Sequence, residues 1–218
     1  MDDAEFDRAM VDAAFAAIGV HGWRSFRVAA AARDAGLPLD RARLRFPCRT
    51  AVLACFGRLA DAAALEGVSA DGPVRDTLFD MLMRRIDVLQ SHRAGASALL
   101  RALPMDPLLA AFLAAASLRS MGWLLEAAGI PASGPLGLLR QKGLLAVWLW
   151  TVRAWLNDET DDLSATMAAL DQALARAEQV EGWLSQSRGS VTTQAASAGE
   201  EGAETADASA ARLSPSAE

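Results

Sequence analysis

Residues 29–53, AAAARDAGLPLDRARLRFPCRTAVL, constrain this chain more than any other stretch. The alanine-rich run over 29–35 favours a helix, Gly36 supplies the permissive backbone of a sharp turn, and Pro38 suits the first turn of a second helix, where its missing N–H costs nothing. That second helix is expected over 39–46 and stops at Pro47. Two short helices pinched about a glycine make a helix-turn-helix. Residues 21–49 also hold seven arginines (24, 27, 33, 41, 43, 45 and 49) against Asp34 and Asp40, a local balance of +5 in a chain whose formal net charge is −6. A basic patch on an acidic protein points to a polyanion, and double-stranded DNA is the usual partner of this motif.

The rest of the chain reads as helical. With 218 residues there is room for a small head and one core-forming domain, and 52% hydrophobic residues supply both. Alanine and leucine dominate, only 6% is aromatic and there is no tyrosine, which favours helices over sheets. Twenty of the 21 basic residues are arginine, Lys142 being the exception, a skew that reads as genome composition. Cys48 and Cys55 lie seven apart on one expected helix face and away from either histidine, so they read as two packed thiols in a reducing cytosol and not as metal ligands. The N-terminus MDDAEFD lacks the basic-then-apolar pattern of a secretory signal. The longest uncharged run, 107–118, is too short to span a bilayer, so a cytoplasmic protein without a transmembrane segment is expected.

Apolar periodicity and breakers divide the chain into about nine helices. The first is expected over 4–20, the next two form the helix-turn-helix, and the fourth runs from 49 to 66. Pro73 opens a fifth helix to residue 90, a short sixth spans 92–103, and Asp106 with Pro107 reads as an N-cap and first helical residue of a seventh reaching 128. Residues 133–135 lead into an eighth helix ending at 157, and Thr160 or Asp161 is expected to cap a ninth running to 183. The fold class is therefore all-α, with a head at 1–48, a helical body at 49–184 and a tail at 185–218. That tail, rich in Ser, Ala, Gly, Thr and Glu with one Leu and one Val, cannot offset its ordering entropy and is expected to be disordered. By contrast 144–156, LLAVWLWTVRAWL, is apolar almost all round and calls for burial within its own domain and against a second chain.

Phe15, Ile18, Gly22, Trp23, Val28, Ala31, Gly36, Leu37, Phe46, Pro47, Arg49 and Leu53 together resemble the DNA-binding domain of the TetR family of bacterial repressors. The likeness extends over roughly fifty residues. It departs in the second short helix, where Asp40, Arg41, Ala42 and Arg43 replace the family's small or hydroxyl residue followed by Thr-Leu-Tyr, so the family's base preference does not carry over. The resemblance implies a DNA-contacting set of Arg27, Leu39, Asp40, Arg41, Arg43, Leu44, Arg45, Arg49 and Thr50. Arg41 is expected to read bases and Arg49 to hold phosphate. It also implies a homodimer built on the last two helices, through Trp148, Leu149, Val152, Trp155, Met167 and Leu170, that presents two recognition helices to successive major grooves. A pocket for an apolar small-molecule ligand is expected among helices four to seven, at Phe56, Leu82, Arg85, Ile86, Met105, Phe112, Met121 and Trp123, with Arg85, His92 and Arg119 as orienting polar groups.

A second resemblance lies at the other end. Trp155, Leu156, Asp158, Asp161, Asp162, Thr166, Leu170 and Asp171 are similar to the C-terminal part of the ubiquinone-biosynthesis accessory family, lipid-binding proteins that share the TetR fold. It implies an alternative: a lipid-binding accessory protein of quinone biosynthesis with a degenerate helix-turn-helix. Catalysis finds no support, since His21 and His92 lie in different modules and no nucleophile triad, metal motif or phosphate loop is present; no cofactor and no metal are expected. The acids at 158–162 read as helix-start charges that complement the dipole.

Overall fold

Asp2 opens the first helix. Its carboxylate accepts from the Glu5 amide at 2.8 Å while Glu5 accepts from the Asp2 amide at 2.9 Å, and this reciprocal cap starts α1 (Asp3–His21). The computed structural model describes residues 1–69, 72–160 and 162–179. Phe6, Met10, Val11, Ala14, Phe15 and Ile18 recur at helical spacing along α1 and are all buried. After Gly22, α2 (Val28–Asp34) and α3 (Leu39–Arg45) are joined by the turn at Gly36, whose φ of 66° favours glycine. The Leu37 amide donates back to Ala32 at 2.8 Å and closes that turn.

The body follows as α4 (Arg49–Leu65), α5 (Val74–Ser91), α6 (Arg93–Ala102), a 3-10 turn at Leu103–Met105, α7 (Pro107–Ala127) and α8 (Gly134–Asn157). A last helix, α9, occupies 164–179. All regular structure among the described residues is helical. The chain divides into two units, Met1–Leu174 and Ala175–Glu218, the second described only at 175–179, which are helical. The tail expected at 185–218 lies outside the described residues. α5 buries Leu78, Met81, Leu82, Arg85, Ile86 and Leu89 as one stripe, and α4, α7 and α8 pack against it.

Eight helices start and stop within about two residues of the sequence expectation, because Asp106, Pro107, Gly36 and Pro47 act where they should. Asp106 does accept from the Leu109 amide at 3.0 Å with Pro107 in the first turn. The start of α9 differs. Neither Thr160 nor Asp161 opens it; the helix begins at 164, after Leu163, which is buried and left-handed at φ 54°, a conformation that costs a non-glycine residue about 1–2 kcal/mol. Asp158 explains the delay. Its buried carboxylate accepts from the Thr160 amide and hydroxyl at 3.0 and 2.6 Å and from the Thr166 amide and hydroxyl at 2.7 Å each, stitching the connection to the first turn of α9. Burial opposes its charge, yet these four donors outweigh burial and hold the carboxyl well below the usual carboxylate range.

The pair of packed thiols is also corrected. Both cysteines are free, Cys55 is buried, and Cys48 is exposed at the N-cap of α4. α7 is more apolar than its uncharged run of twelve suggests: by length and composition alone it could cross a membrane, with a mean hydropathy of 1.6 over its best window. Arg119 sits inside it and its Ser120, Met121, Leu124 and Leu125 are buried against the body.

Candidate nucleic-acid interface

The second helix of the helix-turn-helix is α3, and Ala42 fixes its orientation. It is the one residue of α3 that is fully enclosed, at 2% exposure. At about 100° per residue, Asp40 and Leu44 stand on either side of the line opposite Ala42 and face solvent, with Leu44 83% exposed. Leu39 is also exposed.

Arg41 and Arg45 lie on the flank that α1 covers. The Arg41 guanidinium pairs with Asp3 and sits 4.4 Å from the centre of the Phe6 ring. Arg45 bridges two carboxylates, donating to Asp3 at 2.8 Å and to both oxygens of Asp7 at 2.6 and 2.7 Å. The hydrogen bond from Arg41, then the charge of Arg45, hold the Asp3 carboxyl below its ordinary value, and Asp7 pushes the Arg45 guanidinium up. The acids responsible belong to the N-terminal turns of α1, outside the arginine-rich segment 21–49. Arg41, expected to read bases, is placed in a stacked ion pair on α1.

The other basic residues are placed as supports. Arg43 donates to the Pro47 carbonyl at 2.8 Å. Arg27 donates to the Arg24 and Phe26 carbonyls at 3.1 Å. Arg49 stacks on Trp23, 4.9 Å from a ring centre, and donates to the Trp23 carbonyl at 3.2 Å, while Thr50 lies in the first turn of α4 with its hydroxyl 3.2 Å from Cys48 Sγ. That hydroxyl, backbone amides and nearby Arg43 lower the Cys48 thiol from its ordinary value. Trp23 Nε1 in turn donates to Asp106 at 3.3 Å and Arg24 to the Met105 carbonyl at 3.1 Å. Head and body are joined there by side chains distant in sequence.

In the body, Leu82, Ile86 and Met121 are fully buried as expected of the interior, and half-buried Phe56 packs tilted against Phe15 and edge-to-face with His92. Phe112 is half-buried. Met105 and Trp123 do not join them; at 73% and 63% exposure they face solvent, because the 3-10 turn and the outer side of α7 carry them away. Arg85 is the interior charge. Its side chain pairs with Asp61 on α4, lies 4.9 Å from the Trp148 ring centre on α8, and leaves its Nε without a hydrogen-bond partner among the described residues. Ser120 on α7 donates to the other Asp61 oxygen at 2.7 Å. Burial pushes Arg85 down to about 10, so it stays charged at neutral pH. Asp61 and Ser120 were not singled out from the sequence, although an aspartate inside the run LADAAAL, and an arginine on the apolar stripe of α5, are the signal that two charges must meet.

Several of the residues expected at a dimer face are covered by the protomer itself. Trp148, Val152, Trp155 and Leu170 are enclosed by their own chain, Trp155 with its Nε1 donating to Gln90 at 2.8 Å beneath the Arg93 guanidinium, so they are not available to a partner. Met167 is half-buried. Leu149 and Trp150 are the large apolar residues of this segment that α8 leaves about half exposed.

Two solved structures share this arrangement of helices. A TetR transcriptional regulator from Nitrosomonas europaea aligns over 80% of this chain and 99% of its own, with a TM-score of 0.63 and 20% identity. This is the TetR fold. A protein described as a TetR-family transcriptional regulator from Rhodococcus aligns over 79% of this chain and 98% of its own, with a TM-score of 0.57 and 20% identity. No protein-family model and no curated protein matches the sequence. Both neighbours are described as transcriptional regulators, and the resemblance around Trp155 to the quinone-biosynthesis accessory family stands on sequence alone.

Proposed function

We propose that this chain is a DNA-binding transcriptional regulator that acts as a homodimer and whose helical body responds to a small, largely apolar molecule. The observation that carries the reading is α3, a seven-residue helix with a single enclosed side chain, standing at the surface of a three-helix head within a TetR fold. A helix placed so is shaped to enter a major groove, and two of them on a two-fold axis would meet half-sites about 34 Å apart. Leu149 and Trp150 supply the exposed apolar surface on α8 through which two copies would associate. For the ligand, the support is the unpaired Nε of Arg85 beside the buried apolar residues Leu82 and Ile86 of α5, a fixed donor that suits an apolar body bearing one hydrogen-bond acceptor.

A mobility shift with genomic fragments tests the reading directly. Binding is expected at about 50 mM salt and should weaken steeply by about 200 mM as counterions compete for phosphate. Absence of any binding at the lower salt refutes the regulator. Light scattering should show a dimer that Leu149→Glu or Trp150→Glu converts to monomer. Long-chain or prenylated compounds should raise the melting temperature and alter DNA affinity together.

A further inference from the structure

The recognition helix carries its positive charge in an unusual place. Arg41 and Arg45 are turned onto α1, where Asp3, Asp7 and the Phe6 ring occupy them, and Arg43 caps the Pro47 carbonyl. Opposite buried Ala42 the helix offers Asp40 and Leu44, and Asp40 has no ion-pair or hydrogen-bond partner among the described residues.

Resting on the DNA-binding reading above, we infer that base selection by this protein is carried by Asp40 and Leu44 on the outer face of α3, and that Arg41 and Arg45 are phosphate-competing structural partners of α1 and not base readers. The chemistry follows from the side chains. A carboxylate in the major groove accepts from an exocyclic amine and suits the N4 amine of cytosine, and its charge repels the acceptor-rich edge of guanine; an aliphatic side chain suits the methyl group of thymine. Four residues of helix rise about 6 Å, so the two side chains reach positions about two base-pair steps apart. The half-site is therefore one with a cytosine and a thymine at that separation. The α1 carboxylates add a second consequence. To reach phosphate, Arg41 or Arg45 must leave Asp3 or Asp7, so the acidic first turns of α1 lower affinity for every DNA sequence alike.

Selection from a pool of randomised duplexes, using the full chain, tests the assignment. The unmodified protein is expected to enrich a cytosine and a thymine about two steps apart. Asp40→Asn should exchange that cytosine for adenine, whose N6 and N7 an amide can bind, and Leu44→Ala should reduce the preference for thymine by about 4-fold, the equivalent of one buried methyl contact. The double variant Asp3→Asn with Asp7→Asn should tighten binding to all duplexes while leaving the enriched sequence unchanged. Asp40 and Leu44 are both exposed, so these variants keep the fold, which circular dichroism checks. If Arg41→Ala or Arg45→Ala changes the enriched bases while Asp40→Asn does not, the assignment is overturned and DNA binding stands. If the unmodified protein retains no duplex at about 50 mM salt, where phosphate contacts are strong, the DNA-binding reading falls and the assignment with it.

Discussion

In the head, Asp3 and Asp7 meet Arg41 and Arg45 with side chains between 14% and 69% exposed; in the body, Asp61 meets Arg85 with the arginine side chain 6% exposed. The chemistry is one and the same, and water separates the two cases. The head cluster is screened by solvent and salt, so it contributes little to stability and can open when a better anion arrives. The body pair has no such freedom. An arginine that has lost its water needs Asp61 and the donors around it, and removing the counter-charge leaves a cation stranded among Met81, Leu82 and Ile86. Burial decides which of two identical ion pairs belongs to the fold and which is available to function.

The comparison is most easily broken at Asp61. Asp61→Ala should destabilise the protein by about 3 kcal/mol, the low end for a broken buried pair because Asp61 is a quarter exposed, and lower the melting temperature by about 6–12 °C. Adding Arg85→Met should restore most of the loss by removing the stranded charge. Calorimetry of the single and double variants decides: equal losses would show that burial of Arg85 is not what makes the pair necessary.

Asp158 separates burial from counter-charge, because neutral donors from Thr160 and Thr166 satisfy this carboxylate. Asp158→Ala should cost about 2 kcal/mol through lost caps at the start of α9. Its carboxyl is lowered in the folded state, so its contribution is complete above the unfolded value of about 3.9 and is lost as pH falls below that. Urea midpoints of the unmodified protein should therefore drop below about pH 4, with a smaller drop in the Asp158→Ala variant. The smallest effect belongs to the head. Asp3→Asn with Asp7→Asn should leave the melting temperature unchanged within measurement at 0.15 M salt, and a clear loss would mean the exposed cluster is part of the fold after all.

How far the sequence spoke differs between these regions. The helix-turn-helix was legible because Gly36, Pro38 and Pro47 act locally, and the N-cap at Asp106 because a cap is satisfied within three residues. The partners of Arg41 and Arg45 were not, since Asp3 and Asp7 lie 38 to 42 residues away and only the packing of α1 on α3 brings them together. A count of seven arginines measures charge and says nothing about where guanidinium groups point. The tryptophan-rich segment left a related question open: an all-round apolar helix must be covered, but whether by its own body or by a second copy is a question of tertiary packing, and Trp155 is covered by Gln90 and Arg93. The delayed start of α9 depends on a left-handed Leu163, which no propensity favours.

The crossing of α1 and α6 is made without an intervening side chain. A methyl group placed on Gly95 would sit 2.2 Å from the Phe15 carbonyl oxygen, and one on Gly19 would come within 3.1 Å of Ala94. Two helices in backbone contact have no layer of rotamers between them to absorb displacement. The crossing is thus a rigid coupling, like two gears meshed without play: a displacement of α6 at Gly95 has no soft layer in which to be lost before it meets the backbone of α1 at Phe15.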